Sequence, residues 1–511
     1  MTETARAADM QDAMAELRRR LGEVNDLESA AALLHWDQST YMPAEGAAAR
    51  GRQLATLTRL AHERFTDAAM GELLEKLRPY EESLEYGGDE ASLIRVARRH
   101  YERATRLPTA FVAQAAAHQS ETYDVWTKAR PANDFSMVQG HLAKTLELSR
   151  RYSEYFPNRE HVADPLIDMA DYGLKTETVL RVFAQLREEL APLAEAICRQ
   201  KPAQDGCLHE SYPAEAQLAF GKEVVRRLGY DFSRGRVDLT HHPFMTKFSL
   251  GDVRITTRVK ENDLSEAIFS TIHEAGHALY EQGISRELEG GPLADGTGAG
   301  VHESQSRLWE NVVGRSRGFW QYFYPKLQAA FPARLRRTGL EEFHRAINKV
   351  SRSLIRTDAD EVTYNLHVMI RFELELELLE GRLSVADLPE AWRRKYREYL
   401  GIEVPDDRDG VLQDVHWYMH YIGGCFQGYT LGNLMGAQFY EAAVGARPEI
   451  PDEIVQGRFE ALREWLTENV YRHGAKFTTM ELLERVTGKG LEVGPYMRYL
   501  RTKYGALYDL P

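Results

Sequence analysis

Apolar residues recur at intervals of three and four along most of this chain of 511 residues. Near the start, Met14, Leu17, Leu21 and Val24 share one helical face. The same spacing predicts helices in residues 54–65, 93–104, 138–155, 179–198, 214–228, 340–354, 364–379 and 459–470. No linker rich in Ser, Gly or Pro divides the chain. We therefore expect a mainly α-helical protein, with one large domain spanning residues 1–511.

One segment, residues 244–260, departs from the helical spacing. Phe248, Leu250 and Val253 mix near-alternation with β-branched residues, and Gly251 is followed by an aspartate. Such a pattern favours strands joined by a tight turn. We predict a small β-ribbon that lies immediately before the segment with the candidate catalytic residues.

Composition and charge exclude several classes of protein. A net charge of −13 argues against a surface that follows nucleic-acid phosphates or anionic lipids. The N-terminus lacks the apolar stretch of a secretory signal, and no apolar run approaches the roughly 18–20 residues of a membrane span. The three cysteines form no CxxC pair, which argues against a disulfide framework and against a cysteine-bound metal; they are Cys198, Cys207 and Cys425. We expect a cytoplasmic protein that binds neither nucleic acid nor membranes.

The strongest chemical motif is His273-Glu274-Ala-Gly-His277, inside a helix predicted for residues 263–283. Imidazoles four residues apart project from one face of a helix, as two ligands of a single tetrahedral metal ion require. Glu274 lies beside them and is placed to take a proton from an activated water. Two histidines on a solvated helix face are the competing interpretation. The apolar neighbours of the motif, such as Ile272, disfavour it.

The ends of this predicted helix carry capping residues. Asp263 with Glu266 has the spacing of an N-terminal capping pair, and Gly283 is the predicted helix stop.

A third metal ligand has to come from elsewhere in the chain. An extended motif with a downstream histidine is absent, because Tyr280 and Gly283 occupy the required positions. After a glycine-rich stretch, the next predicted helix contains Glu303 and Glu310 on the same face. The early position of Glu303 is easier to reach from the loop, but the spacing does not decide between the two carboxylates.

Several short motifs, in order along the chain, resemble the carboxypeptidase Taq family of metallocarboxypeptidases. They are HWDQSTYMP at 35–43, DVRIT at 252–256, HEAGH at 273–277, HESQ at 302–305, IRTDAD at 355–360 and GVLQDVHW at 410–417. One such motif would mean little, but the ordered set covers most of the chain and is highly specific.

The resemblance implies that Glu303 joins His273 and His277 as the third metal ligand. It implies a cytosolic homodimer that is almost wholly helical, with a deep groove and an architecture similar to the neurolysin-like oligopeptidases. The expected activity on peptides is release of single C-terminal residues, with broad side-chain tolerance and poor action on proline. Zinc is the expected cofactor, one ion per subunit, with cobalt as the alternative.

A carboxypeptidase must recognise a free carboxylate, and a guanidinium does so with paired hydrogen bonds. Arg356 in IRTDAD is the first candidate and Arg254 in DVRIT the second. The competing interpretation for either is an internal salt bridge to Asp252, Asp358 or Asp360.

The oxyanion of the reaction needs a hydrogen-bond donor besides the metal. Residues 416–429 are dense in His and Tyr, and His416 and Tyr429 are the candidates, with His420 in reserve. Asp414 is close enough to orient an imidazole. Packing in the core is the competing interpretation for these aromatic side chains.

Two other functions are alternatives to a carboxypeptidase. An endo-acting oligopeptidase would use the same metal chemistry in a groove open at both ends, and would cleave C-terminally amidated peptides. A peptide-binding or metal-storing protein would not need the base Glu274.

The helices of residues 1–110 are a candidate lid over the groove. The acidic positions 373, 375, 377 and 380 are expected to be solvated surface.

Overall fold

Helices make up most of the structure, a computed structural model that describes residues 3–510 and the side chains of residues 8–510. In the N-terminal half the helices are α1 (Glu3–Thr40), α2 (Ala47–Phe65), α3 (Ala68–Ser83), α4 (Asp89–Arg106), α5 (Thr109–Ala132), α6 (Ser136–Glu154), α7 (Asp164–Ile167), α8 (Thr176–Cys198) and α9 (Ala214–Leu228). The middle of the chain forms α10 (Leu264–Gly283), α11 (Ala299–Arg307), α12 (Arg317–Ala330), α13 (Pro332–Leu335), α14 (Leu340–Ile347), α15 (Tyr364–Leu379) and α16 (Leu388–Leu400). The last helices are α17 (His416–Met419), α18 (Gln427–Ala446), α19 (Ile450–Val455), α20 (Glu460–Asn469), α21 (Thr479–Thr487) and α22 (Gly494–Tyr508). The prediction of a mainly α protein is confirmed.

The helix predicted for residues 340–354 is shorter in the structure, where α14 ends at Ile347. Beyond it, the backbone N–H groups turn to partners outside the helix. Val350 N donates to Tyr508 Oη at 2.8 Å, and Ser351 N donates to Asp360 Oδ2 at 3.0 Å. These tertiary hydrogen bonds override the apolar spacing and direct the following segment toward the groove described below.

The predicted ribbon is present as two antiparallel strands, β2 (Met245–Ser249) and β3 (Asp252–Thr257). A third strand, β1 (Val237–Leu239), pairs with β3 in parallel and gives the order β1-β3-β2. The spacing of apolar residues did not predict β1, because three residues are too few for a pattern. Helix α10 packs against this small sheet and follows β3 almost directly in the chain.

Buried apolar side chains form one large core and one smaller cluster. The large core extends from α5 to α22 and contains the apolar face of α10. The smaller cluster joins α1, α3 and α4 to the loop after α10, through residues such as Leu17, Leu74, Ile94 and Leu293. The N-terminal helices thus pack on the body of the protein through their own apolar contacts.

The expectation of a solvated acidic face on α15 is wrong for Glu375, which is fully buried. Its carboxyl group accepts a hydrogen bond from Trp417 Nε1 at 2.9 Å, and burial raises its pKa to about 8. Nearly every side of α15 is covered by other helices, so the local pattern of charges did not identify an exposed face.

In residues 3–510, no helix combines the length and apolar character needed to cross a membrane. All three cysteines are free.

Candidate active site

Helix α10 begins and ends close to the predicted residues, but its caps differ in detail. The Asp263 side chain accepts a hydrogen bond from the backbone N–H two residues on, at 3.0 Å. Glu266 does not complete a capping pair, because its carboxylate binds Arg258 at 2.8 Å. Gly283 is the last helical residue, and a Cβ there would lie 2.6 Å from the Tyr471 ring. A glycine is therefore needed for packing as well as for the helix end.

The two histidines of α10 and Glu303 of α11 come together at the floor of a groove. The Nε2 atoms of His273 and His277 lie 3.7 and 3.5 Å from Glu303 Oε2, and one ligand atom of each residue lies within 4.8 Å of the others. Bonds of about 2.0–2.2 Å to a tetrahedral ion would place ligand atoms about 3.3 Å apart. The two imidazoles and one carboxylate therefore fit a single divalent ion.

Two glycines allow the backbones around this site to approach closely. A Cβ at Gly276 would lie 2.6 Å from Ser306 Cα, so α10 packs directly on α11. A Cβ at Gly432 of α18 would lie 2.6 Å from Glu303 Cγ. Glu303 is thus fixed between two helices that glycines bring into contact.

Glu310, the alternative candidate for the third metal ligand, takes a different position from Glu303. It accepts a hydrogen bond from His273 Nδ1 at 2.8 Å, on the side of the ring away from Glu303. It lies on a π-helical turn, Leu308–Val313, that continues α11. Although burial opposes ionisation, the hydrogen bond from His273 and the charge of Arg307 lower the pKa of Glu310 to about 2. The ionised carboxylate holds the tautomer of His273 that leaves Nε2 free.

His277 is oriented by a longer chain of hydrogen bonds. Its Nδ1 lies 2.6 Å from His302 Nδ1, and His302 Nε2 lies 2.8 Å from Glu281 Oε1. Lys247 Nζ binds the other oxygen of this buried carboxylate at 2.7 Å and Asp295 at 2.6 Å. Since Glu281 accepts from His302 Nε2–H, His302 Nδ1 is left as acceptor for His277 Nδ1–H. The chain therefore keeps His277 Nε2 unprotonated and aimed at Glu303.

Glu274 is buried next to this cluster and lines the groove. Among the described residues no hydrogen-bond partner holds its carboxyl group. Burial, reinforced by the Glu303 carboxylate, raises its pKa to about 7. A carboxyl group with such a pKa is suited to accept and return a proton near neutral pH.

His416 and Tyr429 lie together on the same groove, and Asp414 orients the imidazole. His416 Nδ1 is 2.5 Å from Asp414 Oδ1, and His416 Nε2 is 3.1 Å from Tyr429 Oη. Although burial opposes ionisation, Arg356 and Arg371 hold the pKa of Asp414 well below its usual value. The carboxylate therefore accepts from Nδ1–H, and Nε2 accepts from the Tyr429 hydroxyl. Burial raises the pKa of Tyr429, which keeps it a hydrogen-bond donor.

Arg356 is buried on the groove and has an internal partner, but not one of the three aspartates considered above. Its Nε donates to Asp414 Oδ2 at 2.6 Å, its Nη2 lies 3.3 Å from Asp414 Oδ1, and its Nη1 donates to Tyr364 Oη at 2.9 Å. A guanidinium has five N–H donors, so one on each terminal nitrogen is left over. Those two donors are available to a ligand carboxylate.

Arg254, the second candidate for binding the substrate carboxylate, lies apart from the residues of the groove. It forms two hydrogen bonds to Asp252, at 2.8 and 2.7 Å, and its guanidinium stacks over Trp36 at 4.4 Å from the ring centre. It does not line the groove.

The groove has a volume of about 910 Å³ and contains residues that the motifs did not single out. They are Trp126, Arg130, His242, Arg307, Arg315 and Tyr364. Arg307 Nε donates to Glu303 Oε1 at 2.7 Å, so one oxygen of that carboxylate is held while the other faces the histidines. The position of Arg307 four residues after Glu303 on a helix was the signal that could have identified it.

Comparison with known proteins decides the family. The family model described as carboxypeptidase Taq (M32) metallopeptidase matches residues 16–504. This chain belongs to the M32 family of metallocarboxypeptidases. Thermostable carboxypeptidase 1 of Thermus thermophilus is 42% identical to this M32 chain over 492 residues, covering 94% of it and 96% of the relative. Carboxypeptidase 1 of Bacillus subtilis is 36% identical, covering 96% and 97%.

Solved structures agree with this assignment to the M32 family. The M32 carboxypeptidase from Deinococcus radiodurans superposes with a TM-score of 0.95 at 50% identity, covering 98% of this chain and all of that one. The family establishes a peptide hydrolase that acts on C-termini with a divalent metal ion.

Proposed function

We propose that this metallocarboxypeptidase holds one zinc ion on His273, His277 and Glu303 and uses Glu274 as its general base. In this proposal it releases single C-terminal residues from peptides, with broad tolerance for side chains and poor action on proline. The observation that carries the proposal is the approach of both Nε2 atoms to Glu303 Oε2, in a groove that Glu274 also lines. The ligand set of two imidazoles and a carboxylate suits zinc, and cobalt is the alternative.

The ion would supply Lewis acidity that acidifies a water molecule and polarises the scissile carbonyl. Glu274 takes the proton of the attacking water and passes it to the leaving amine. A pKa near neutrality allows one carboxyl group to do both. Glu310 and His302 hold the imidazoles of His273 and His277 with their Nε2 lone pairs toward the ion.

The oxyanion receives a hydrogen bond from the Tyr429 hydroxyl in this mechanism. His416, held by Asp414, keeps that hydroxyl in place through its Nε2 atom. When the hydroxyl turns toward the substrate, it gives up His416 Nε2 as its acceptor and donates to the negatively charged oxyanion instead. His420 also lines the groove and is the reserve donor.

Exopeptidase specificity is assigned to Arg356. Its two remaining N–H groups fix the terminal carboxylate, so that the last peptide bond is the one presented to Glu274. Because its other donors bind Asp414 and Tyr364, the guanidinium is positioned before substrate arrives. Arg254 is the weaker candidate, since Asp252 occupies its fork.

Broad side-chain tolerance is supported by the size of the groove, about 910 Å³, which accommodates any C-terminal side chain. We further propose that the whole chain is one domain, in which the N-terminal helices act as a lid. Support for a lid comes from α1, where His35 packs against Phe244 at the edge of the groove, with ring centres 6.5 Å apart.

A cytoplasmic homodimer completes the proposal. The three free cysteines fit a reducing compartment, and the dimer rests on the resemblance to the family. Light scattering of the purified protein tests the assembly, and the mass of a single chain would contradict it.

The function is tested with matched peptides that end in a free acid or an amide. Arg356→Ala is expected to lower kcat/KM on free-acid peptides at least tenfold, because a charged, paired hydrogen bond contributes about 1.5–3 kcal/mol. Slow cleavage of the amides is expected to stay at the wild-type rate. Arg356→Lys is expected to recover only part of the loss, since it lacks the planar fork. Arg254→Ala serves as the matched control, and an equal fall on acids and amides in Arg356→Ala would refute the assignment.

A further inference from the structure

A second cavity, of about 340 Å³, lies between the N-terminal helices α1 and α4 and the loop of residues 291–298. It shares no lining residue with the catalytic groove. Polar and charged side chains form much of its wall, and residues of the smaller apolar cluster, such as Leu21 and Ala294, also line it. The charges on its wall indicate which kind of ligand this cavity could bind.

One wall of the cavity carries an arginine without a partner. Arg99 of α4 makes no hydrogen bond and no ion pair with any residue of the described chain, and its Nε is shielded from solvent. The guanidinium is held in place by stacking over the Tyr172 ring, at 4.2 Å from the ring centre. Burial, together with the nearby charge of Arg103, lowers its pKa. A half-buried guanidinium whose shielded Nε has no acceptor is a feature that an anionic ligand group would satisfy.

A second part of the wall carries the opposite charge. Glu28 of α1, whose side chain is exposed, makes no hydrogen bond or ion pair with any side chain that the structure describes. It lies near Asp295, whose carboxylate binds Lys247 at 2.6 Å. Partial burial and the charge of Asp295 raise the pKa of Glu28. A cation close to both carboxylates would relieve this repulsion.

We propose that this cavity binds a free amino acid, with its carboxylate on Arg99 and its ammonium group on Glu28 and Asp295. An inorganic anion would satisfy only Arg99, and a metal ion or an amine would satisfy only the carboxylates. A zwitterion satisfies both walls. The volume of about 340 Å³ accommodates an amino acid with a large side chain. Free amino acids are the products of a carboxypeptidase, so the ligand accumulates where the enzyme works.

Lys247 is a poor choice for testing this site, because it also supports the chain of hydrogen bonds that ends at His277. Arg99→Gln and Glu28→Gln remove one charge each and leave that chain of hydrogen bonds intact, and Glu28→Gln also keeps the side-chain size. Arg98→Gln on α4 and Glu23→Gln on α1 are matched controls, since Arg98 pairs with Glu81 and Glu23 pairs with Arg19, away from the cavity.

The test is isothermal titration of the metal-loaded enzyme with L-leucine, leucinamide, which lacks the carboxylate, and 4-methylpentanoate, which lacks the ammonium group. The catalytic groove also takes leucine as a product, so Arg356→Ala is titrated in parallel to identify that event. We expect Arg99→Gln and Glu28→Gln each to weaken a binding event at least tenfold, while Arg356→Ala and both controls retain it. Peptide hydrolysis by the cavity variants in buffer free of amino acids is expected to equal that of the wild type.

Three results would overturn the proposal. One is a single leucine site that Arg356→Ala removes and the cavity variants leave unchanged. Another is binding of 4-methylpentanoate or leucinamide as tightly as leucine at the site that depends on Arg99. The third is loss of leucine binding in the control variants as well, which would indicate a general change of the helices. Should Arg99→Gln fail to fold, Glu28→Gln alone decides, because its carboxylate supports no other side chain.

Discussion

Replacement of His302 tests whether the hydrogen-bond chain behind His277 sets the strength of metal binding. The His277 Nδ1–H donor lies 2.6 Å from His302 Nδ1, in a part-buried position. His302→Leu removes the acceptor and leaves that donor without a partner, which costs about 1–3 kcal/mol. Loss of a partner behind a metal ligand weakens binding by about 10–100-fold. We therefore expect the zinc dissociation constant of His302→Leu to rise by this factor.

His302→Asn provides the matched comparison, because the Asn Oδ1 lies close to the position of the lost Nδ1 and is an acceptor. Both variants lose the hydrogen bond to Glu281, so the difference between them reports on the contact with His277 alone. Competition with a chromogenic chelator measures zinc affinity, and thermal unfolding of the metal-free proteins controls for stability. The reasoning is refuted if Leu and Asn weaken zinc binding equally, or if His302→Leu stays within twofold of the wild type.

Three further predictions follow from other contacts. Gly432→Ala would force its Cβ onto Glu303 Cγ, and we expect weaker zinc binding by chelator competition together with a lower melting temperature. Glu310→Gln keeps the acceptor for His273 but removes its charge, so zinc binding should fall by less than in a variant that loses the ligand; complete loss would make Glu310 a ligand. For Glu375, the folded pKa of about 8 exceeds the unfolded value of 4.5, so its contribution to stability is present below pH 4.5 and is lost as the pH rises through 8. Glu375→Gln should remove this part of the pH dependence in chemical unfolding, and an unchanged profile would contradict the buried, protonated carboxyl.

The helical class and the pairing of His273 with His277 were accessible from the sequence because both depend on local spacing. Because His277 follows His273 by four positions, their side chains share one helix face, whatever surrounds them. The choice between Glu303 and Glu310 was not accessible in this way. It depends on the packing of α11 against two glycines in other helices, and on a π-helical turn that the pattern of residue types does not reveal.

The partner of Arg356 and the burial of Glu375 were not accessible for a related reason. For Arg356, the competing interpretation was a salt bridge to an aspartate such as Asp358, yet its partner Asp414 lies 58 residues away in the sequence. Glu375 is buried because Trp417 and several helices cover α15. The residues adjacent to Glu375 in the sequence do not reveal this packing. Charges that pair over long sequence distances are decided by the fold, and only the three-dimensional structure identifies the partner.

The central claim is that Glu274 is a base and not a ligand, whereas Glu303 is a ligand. Zinc content and peptide hydrolysis measured together on Glu274→Gln and Glu303→Ala test it most directly. The account predicts that Glu274→Gln retains one zinc per chain and loses nearly all hydrolysis, and that Glu303→Ala loses the zinc. Substantial turnover by Glu274→Gln, or full zinc occupancy in Glu303→Ala, would contradict it.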